Sequence, residues 1–505
     1  VDAAALLRPS VLGVDLPVAG LVQRRALVGT SVADRAELAV EVEHRDLDAL
    51  HGVSLALADG DLVAIAANRA HHADVGGANA GSIAPDSTEI YAEGVRIPPV
   101  KLYEAGERNE AVADLLFANV RTPEERAGDL RAQHAANQTA RERFGDIVDR
   151  YGRGTIAAGL AAIQNYSEER MRAAIAELPD GEYRFQDVLD GDGRGGEPVT
   201  IAVTVTVDGD RIEADFTESD PQGPGVLNAP VAVTTSATYY AVRCVTDPEI
   251  PPNAGCYRPV EIRAPSGTVV NADPPAAVVG GNLEVSQRVV DVLFGALAEA
   301  VPERVAAAGQ GTMNNLTLGG TDPRSGDPFA FYETQGGGFG GHAGGDGMDG
   351  VHVHMSNTRN TPTEVLETAY PLRVRRYALR PDSGGAGEFR GGLGLRRDVE
   401  ARGPMGCNLL ADRREHAPYG VAGGENGAPG ADYLLTDDED GRAATEHLDP
   451  KSTQELEAGD VVSIRTPGGG GYGDPAERSV ERIRRDLRQG KITAERAREA
   501  YDSAE

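Results

Sequence analysis

Two adjacent histidines stand beside an aspartate and a glycine pair in the stretch RAHHADVGG, residues 69–77. Imidazole and carboxylate groups are common ligands of zinc, manganese and iron in hydrolytic and carboxylating sites. Because neighbouring side chains on a strand point to opposite faces, only one of His71 and His72 is expected to be a ligand. Asp74 lies two residues beyond His72, on the same face. The stretch therefore leaves two interpretations open: a divalent-metal ligand at one of the two histidines, with Asp74 able to share the face of His72, or a polar loop.

A metal site also needs ligands from elsewhere in the chain. The segment EVEHRDLDALHG, residues 41–52, supplies His44, Asp46, Asp48 and His51 shortly upstream. His352 and His354 alternate in VHVHM, and in a strand both side chains would lie on one face. For this second pair we favour a polar strand face near a glycine loop over a metal site.

Glycine is concentrated in three tracts, residues 335–350, 382–395 and 466–475. Dense glycine carries a large conformational entropy cost, and bulky residues such as Phe339 and Tyr472 are interleaved with it, which favours ordered loops over a flexible linker. No tract matches GxxxxGK[ST] or a strand–GxGxxG–helix pattern. We therefore expect no nucleotide-phosphate site in this chain.

Composition restricts the partners and the compartment. The chain has 505 residues and a formal net charge of −30, with 79 acidic and 49 basic residues, a balance that disfavours nucleic acid and anionic membranes as partners. Its three cysteines show no CxxC spacing, so we expect neither a disulfide framework nor a thiolate zinc site. No apolar run of membrane-spanning length and no secretory signal pattern is present, which predicts a cytoplasmic protein. An acidic surface with only three lysines also predicts adaptation to concentrated salt.

Periodicity predicts the elements that position these residues. Residues 62–70 have the pattern of a buried strand that leads into the histidines, and residues 109–120 and 123–152 that of amphipathic helices. Residues 199–219 alternate at period two around an Asp-Gly turn, which predicts a hairpin. Residues 229–242 fit a strand or the start of a buried helix. Further helices are predicted at residues 285–305 and, as a helical hairpin, at residues 476–503.

The element order favours an α+β fold with several subdomains, mixed or antiparallel sheets, glycine-rich ordered loops and a C-terminal helical hairpin. We expect an atypical, truncated N-terminal segment at 1–57 and a mostly helical part with the metal motif at 58–180. A mixed β/α core with the glycine loops follows at 181–475, and the helical hairpin occupies 476–505.

Several co-linear stretches together resemble the hydantoinase B/5-oxoprolinase family, whose B subunits are called HyuB-type. The resemblance runs from about residue 58 to the end of the chain. It is carried by ANRAHHADVGG, EIYAEGVRIPPVKL, ANVRTPEERAGDLRAQ, LPDGEYRFQDVLDGDG, NADPPAAVVGGNLEVSQRVVD, the GGGFGG…DGMDGVHVHMSNTRNTPTEVLE block, YPLRVRRYALRPDSGGAGEFRGGLGLRR and RTPGGGGYGDPAER.

The resemblance implies a two-component enzyme that hydrolyses a cyclic amide. A HyuA-type ATPase partner would use ATP to phosphorylate the carbonyl oxygen, and the HyuB-type chain would complete the hydrolysis with a bound divalent metal, Mn, Zn or Fe. It implies a hetero-oligomer, a small cyclic amide as substrate and His72 as a metal ligand, with Asp74 as a second ligand or as the group that orients His72. Catalytic residues beyond the metal ligands are not assigned.

The chain departs from the family pattern upstream of His72. The family motif NDPxxGGxHxxD, whose His and Asp help to complete the metal site, has its nearest counterpart in HRDLD, which contains His44 and Asp48 and lacks the NDPxxGG part. Two alternatives stay open beside the hydrolase: the large subunit of an acetone- or acetophenone-type carboxylase, and a non-catalytic scaffold for the HyuA partner.

Overall fold

The computed structural model describes residues 49–58, 61–104, 106–192, 194, 196–437 and 443–501. Within these ranges the α-helices, in chain order, are α1 (Glu110–Phe117), α2 (Pro123–Tyr151), α3 (Arg153–Ile175), α4 (Val231–Val245), α5 (Ala254–Tyr257), α6 (Ser286–Ala300), α7 (Thr363–Ala369), α8 (Val480–Arg488) and α9 (Ala494–Tyr501). A π-helical turn, Gly281–Val285, leads directly into α6. Among the described residues, no helix combines the length and the apolar character that a membrane crossing requires.

The strands form three larger sheets and two small hairpins. The hairpins pair β1 (Ala49–Ala58) with β2 (Asp61–His71) and β3 (Tyr103–Glu104) with β4 (Glu107–Arg108). The first larger sheet has the order β5 (Gly181–Leu189), β6 (Val199–Asp208), β7 (Arg211–Asp215), β8 (Val260–Arg263). The second has the order β10 (Pro328–Thr334), β9 (Asn315–Thr321), β13 (Met405–Leu410), β16 (Lys451–Leu456). The third has the order β11 (Leu372–Leu379), β12 (Leu395–Ala401), β17 (Val461–Arg465), β14 (Ala431–Asp437), β15 (Ala443–Leu448).

Strand pairing in these sheets is antiparallel except between β7 and β8, which run parallel. This confirms the predicted α+β class with mixed and antiparallel sheets. The β6–β7 turn has Gly209 at φ 59°, as the Asp-Gly pattern predicts. The predicted domain boundaries stay predictions.

Two large apolar cores hold the sheets and the central helices together, and a third, smaller cluster that includes Ile483 and Tyr501 packs the C-terminal helical hairpin. The larger core lies between the first sheet and helices α4 and α6, with Val205, Phe216 and Val290 fully buried. The second joins the second and third sheets through residues such as Leu316 and Ile464. Alternating burial along β6 and β7 places one strand face in the core, which is why the period-two pattern was visible in the sequence.

The three glycine tracts fold against each other as ordered loops, as predicted. Their backbones are joined by hydrogen bonds, for example from Gly341 N to Gly470 O and from Gly469 N to Gly392 O. A Cβ added at Gly340 would lie 1.7 Å from the carbonyl oxygen of Ala307. The backbone segments lie so close to each other that most side chains would not fit between them, which explains the glycine content.

The structure resolves one open alternative and corrects one expectation. Residues 229–242 fall in helix α4, so the alternative of a strand was wrong. The segment with His352 and His354 is a turn, not a strand, since only Val351 forms an isolated bridge, to Gly337. The C-terminal helical hairpin is confirmed as α8 and α9, with Gly490 at φ 66° between them.

Candidate functional site

His72 is the first residue after β2 and turns its ring into the protein, onto helix α2. Its side chain is fully buried, whereas the neighbouring His71 is exposed, as expected for adjacent residues at a strand end. The ring Nε2 lies 3.0 Å from Oε1 of Gln133. Burial lowers the pKa of His72, and the contacts with Gln133 and Asp129 offset part of this shift. The imidazole is therefore neutral at pH 7 and keeps one basic nitrogen.

The other ring nitrogen of His72 faces a carboxylate. Nδ1 lies 3.7 Å from Oδ2 of Asp129 and has no hydrogen-bond partner. The Asp129 side chain is 47% exposed and is held at 3.0 Å by Nη2 of Arg126, one turn earlier on α2. A buried base and a half-exposed carboxylate thus lie together at the junction of β2 and α2.

Asp74 organises the loop that follows β2. Its fully buried carboxylate accepts hydrogen bonds from the backbone N–H groups of Gly76, Gly81 and Arg121 and from the guanidinium of Arg121, at 3.0–3.2 Å. Four donors use the available lone pairs of a carboxylate. Asp74 therefore fits a loop-anchoring role, and no described contact joins it to His72.

The same loop lies on the second sheet. Asn79 donates a hydrogen bond of 2.8 Å to Asn408 on β13, and a Cβ at Gly81 would lie 2.8 Å from Thr317 on β9. Ser82, at φ 58°, bridges the loop by accepting from Val75 N and donating to Gly76 O. The loop is consequently fixed at both ends, which holds His72 in place.

The described residues alone do not fit a divalent metal centre. Among them, no group of three or more His, Cys, Asp or Glu side chains is arranged to hold a metal ion. The carboxylate of Asp74 already accepts hydrogen bonds from N–H donors. Among the described residues, the acceptors that remain beside His72 are its own Nδ1 and the carboxylate of Asp129. His44 and Asp48 lie outside the described residues, so the four-residue metal site stays a prediction.

A second polar cluster lies within the larger core, between α6, β5 and the segment after β13. Arg288, Arg413 and Lys451 face Asp187, Asp291 and Asp412, so that the two signs balance. Four of the ion pairs are Arg288–Asp412 (3.0 Å), Arg413–Asp187 (2.7 Å), Arg413–Asp291 (2.6 Å) and Lys451–Asp412 (3.0 Å). Burial raises the pKa of Asp412, but Lys451 and Arg288 outweigh it and lower the pKa to about 2. The cluster is charged and compensated at neutral pH.

Glu284, in the π-helical turn, is a buried carboxyl that lacks a cationic hydrogen-bond partner. Its Oε1 accepts from Nδ2 of Asn315, and its Oε2 has no partner. Burial raises the pKa of Glu284 to about 8, and the negative charge of Asp412 adds to this rise. Glu284 is therefore mainly protonated at pH 7, which preserves the charge balance of the cluster.

His354 lies at the edge of this cluster. Its side chain is 1% exposed, its Nε2 is 3.6 Å from Oδ1 of Asp291, and Tyr240, Phe294 and Phe339 surround the ring at centroid distances of 5.4–5.9 Å. Burial lowers its pKa, which Asp291 partly offsets. The prediction that His352 and His354 lie on a polar strand face was wrong, because the segment is not a strand and aromatic side chains enclose the ring of His354.

Three non-glycine residues with positive φ lie at or beside this cluster, and three others, among them Ser82, lie elsewhere in the described part of the chain. Non-glycine residues rarely adopt positive φ, and such residues cluster at functional sites. Asn314 (φ 49°), His354 (φ 48°) and Arg413 (φ 62°) all contribute to the cluster around Asp291 and Arg414.

Sequence reasoning missed most of these residues. Arg126, Gln133 and Asn137 recur along α2 at helical spacing and are buried, although polar residues at this spacing ordinarily mark a solvated helix face. The paired charges Arg288 and Asp291 inside an apolar helix were the clearer signal, since such charges are seldom buried without partners. Cys256 is buried, and burial raises its pKa.

Comparison with known proteins identifies the family. Residues 52–475 match the family Hydantoinase B/oxoprolinase. The chain belongs to this family. It is 38% identical over 436 residues to 5-oxoprolinase 1 of Arabidopsis thaliana, covering 82% of this chain and 33% of that protein. It is 35% identical over 453 residues to the B-type chain of a putative D-/L-hydantoinase from a Pseudomonas species, covering 87% of this chain and 76% of that protein.

The hydantoinase B/oxoprolinase chain also resembles solved structures. The crystal structure of the ATP-dependent caprolactamase from Pseudomonas jessenii matches 90% of this chain and 79% of that chain, with a TM-score of 0.82 and 32% identity. An acetone carboxylase in its nucleotide-free state has a TM-score of 0.80 at 19% identity, covering 90% of this chain and 66% of that chain, which shows a shared fold only. This chain spans about a third of the plant oxoprolinase and about three-quarters of the hydantoinase component.

Proposed function

We propose that this chain is the HyuB-type component of a two-component, ATP-dependent cyclic amidohydrolase. The observation that carries the proposal is the family match over residues 52–475 together with 32% identity to a caprolactamase structure across 90% of the chain. Two similar proteins, the hydantoinase chain and a caprolactamase beta chain, are named as single subunits of larger enzymes, which supports a partner. We propose a HyuA-type ATPase as that partner.

The partner's role follows from the chemistry of an amide. The carbonyl carbon of a cyclic amide is a poor electrophile, and transfer of a phosphoryl group from ATP to the oxygen makes it reactive. Water then adds to the carbon and the ring C–N bond breaks with a proton going to nitrogen, which leaves an acyl phosphate. A second water hydrolyses this acyl phosphate and releases phosphate. The products are the ring-opened amino acid, ADP and phosphate.

The chain's own contribution in this proposal is the basic pair formed by His72 and Asp129. His72 is neutral and has a free lone pair, so it is able to accept a proton from the attacking water. Asp129 is half exposed, which gives the buried imidazole a route to substrate and solvent. Arg126 keeps Asp129 in position at 3.0 Å.

The test is reconstitution of the chain with the HyuA-type protein of the same host. ADP release and ring opening are measured with N-methylhydantoin, 5-oxoproline and caprolactam, each with and without the partner. We expect coupled ATP and amide hydrolysis only when both proteins are present. His72→Ala should abolish ring opening, while the exposed neighbour variant His71→Ala should retain it.

The alternatives give different outcomes in the same assay. Carboxylation of acetone with bicarbonate, without ring opening of any amide, would replace the hydrolase by the carboxylase. Partner ATP turnover that is identical with wild-type chain and with His72→Ala would favour the scaffold. Neither alternative has support beyond the shared fold and the departure of the upstream motif.

A further inference from the structure

The orientation of the His72 ring follows from a chain of amide hydrogen bonds that begins at a backbone carbonyl. Nδ2 of Asn68, on β2, lies 2.7 Å from the backbone oxygen of Gln133. A carbonyl oxygen only accepts hydrogen bonds, so the Asn68 atom beside it must be the NH2 group. The second hydrogen of this NH2 group is directed to Oδ1 of Asn137 at 2.8 Å.

The orientation of the Asn68 amide determines the orientation of the Gln133 amide. Because the NH2 group of Asn68 faces the carbonyl, its Oδ1 is the atom turned towards the Gln133 side chain. Nε2 of Gln133 lies 2.9 Å from that oxygen and donates to it. The remaining atom of the Gln133 amide, Oε1, is an acceptor and lies 3.0 Å from Nε2 of His72. A neutral imidazole meets an acceptor only with its N–H, so His72 carries its proton on Nε2.

The resulting tautomer turns the unprotonated Nδ1 of His72, and not an N–H group, towards the carboxylate of Asp129. Without the amide chain, a histidine whose Nδ1 lies 3.7 Å from Asp129 would place its proton on Nδ1 and donate to that carboxylate. In this structure the Nδ1 lone pair instead faces the carboxylate, and Nδ1 has no hydrogen-bond partner. Two electron-rich groups held face to face attract a proton or another electrophile such as a cation between them.

We propose that Asn68 and Gln133 are positioning residues that hold His72 in the Nε2–H tautomer, so that Nδ1, together with Asp129, is the acceptor that the site presents. The proposal rests on the proposed function only for the chemical use of Nδ1. The tautomer itself is a property of the isolated chain, and it is measured without partner, ATP or substrate.

The test is nitrogen NMR of the full chain with ¹⁵N-labelled histidine. Long-range ¹H–¹⁵N correlation spectra distinguish a protonated from an unprotonated ring nitrogen, and loss of one signal set in His72→Asn identifies His72 among the ten histidines. We expect an unprotonated Nδ1 and a protonated Nε2 at pH 7.5. A wild-type ring protonated at Nδ1, or a mixture of both forms, would overturn the proposal.

Variants separate positioning from general support of the fold. Asn68→Ala removes the acceptor that faces Nε2 of Gln133 and with it the contact that sets the orientation of that amide, so the proton should move to Nδ1 and Asp129. Gln133→Met removes the acceptor and should have the same effect. Asn137→Ala is the matched control, because Asn137 is also buried and contacts Asn68 but is not part of the path from the carbonyl to the imidazole.

The tautomer in Asn137→Ala should stay that of the wild type. A tautomer that is unchanged in Asn68→Ala and Gln133→Met, or that changes equally in Asn137→Ala, would refute the positioning role. Failure of ring opening in the reconstituted assay with an intact Nε2–H tautomer would instead refute the proposed function and leave the positioning role standing.

Discussion

Glu284 gives the sharpest test of the buried charge cluster, through the change Glu284→Gln. The pKa of Glu284 rises from 4.5 to about 8 on folding, mainly because the carboxyl is fully buried and also because Asp412 lies nearby. Between these two pKa values the folded state holds a proton that the unfolded state has released. The free energy of unfolding of the wild type therefore falls as pH rises through this interval, by about 1.4 kcal/mol per pH unit from this group.

Glutamine removes this pH dependence while keeping the shape of the side chain. Its Oε1 still accepts from Asn315, and no proton is bound or released at residue 284. The stability of the variant relative to the wild type should therefore increase with pH, by about 3 kcal/mol from about pH 5.5 to about pH 7.5. The shift from 4.5 to about 8 sets an upper limit on the order of 5 kcal/mol.

The assay is urea unfolding of both proteins at several pH values, because the difference between them cancels every other titrating group. Gln287→Met is the matched control, because Gln287 is buried three residues after Glu284, in the first turn of α6, and does not titrate. Its stability difference from the wild type should be the same at each pH. A difference for Glu284→Gln that is flat, or that falls as pH rises, would refute a protonated Glu284 in the folded chain.

Three further substitutions and one change of salt concentration test the buried ion pairs, the packing and the surface. Lys451→Met leaves Asp412 short of one buried cation and should lower the free energy of unfolding by about 3–5 kcal/mol in urea titrations; a loss below about 1 kcal/mol would contradict a compensated cluster. Gly340→Ala places a methyl group 1.7 Å from Ala307 O and should yield little folded protein by circular dichroism. Gly145→Ala, with open space in mid-helix, should instead stabilise by about 0.5–1 kcal/mol. The melting temperature should rise between about 0.1 M and about 2 M KCl, because salt screens a net charge of −30; a constant or falling value would count against salt adaptation.

The elements that the sequence predicted well carry their own local signals. Strand β6 alternates buried and half-buried residues over most of its length, and helix α2 begins at Pro123 and ends before Gly152, so pattern and caps were enough. Helix α4 was ambiguous because buried residues occur on most of its sides, among them Thr234, Ser236 and Thr238. An element enclosed on all sides loses the polar stripe that distinguishes a helix from a strand.

The sites were harder to predict because their groups meet only through tertiary contacts. His72 was found because its motif is local, and its burial beside an exposed His71 follows from strand geometry. Asp129 and Gln133 lie on helix α2, far from His72 in sequence: Gln133 follows His72 by 61 residues. No periodicity within α2 reveals which β-strand its polar residues will face.

The polar contact between β2 and α2 explains why this region does not simply pack as an apolar layer. A leucine at position 133 would satisfy the helix pattern and add apolar burial, whereas the amides contribute only modest net stability, since each exchanges a hydrogen bond to water for one within the protein. What the amides add is direction: an uninterrupted path from one backbone carbonyl to one imidazole nitrogen. An apolar contact fixes the position of a ring but not the nitrogen that carries its proton. The buried amide of Gln133 is therefore better explained by the orientation it imposes on His72 than by the stability of the fold.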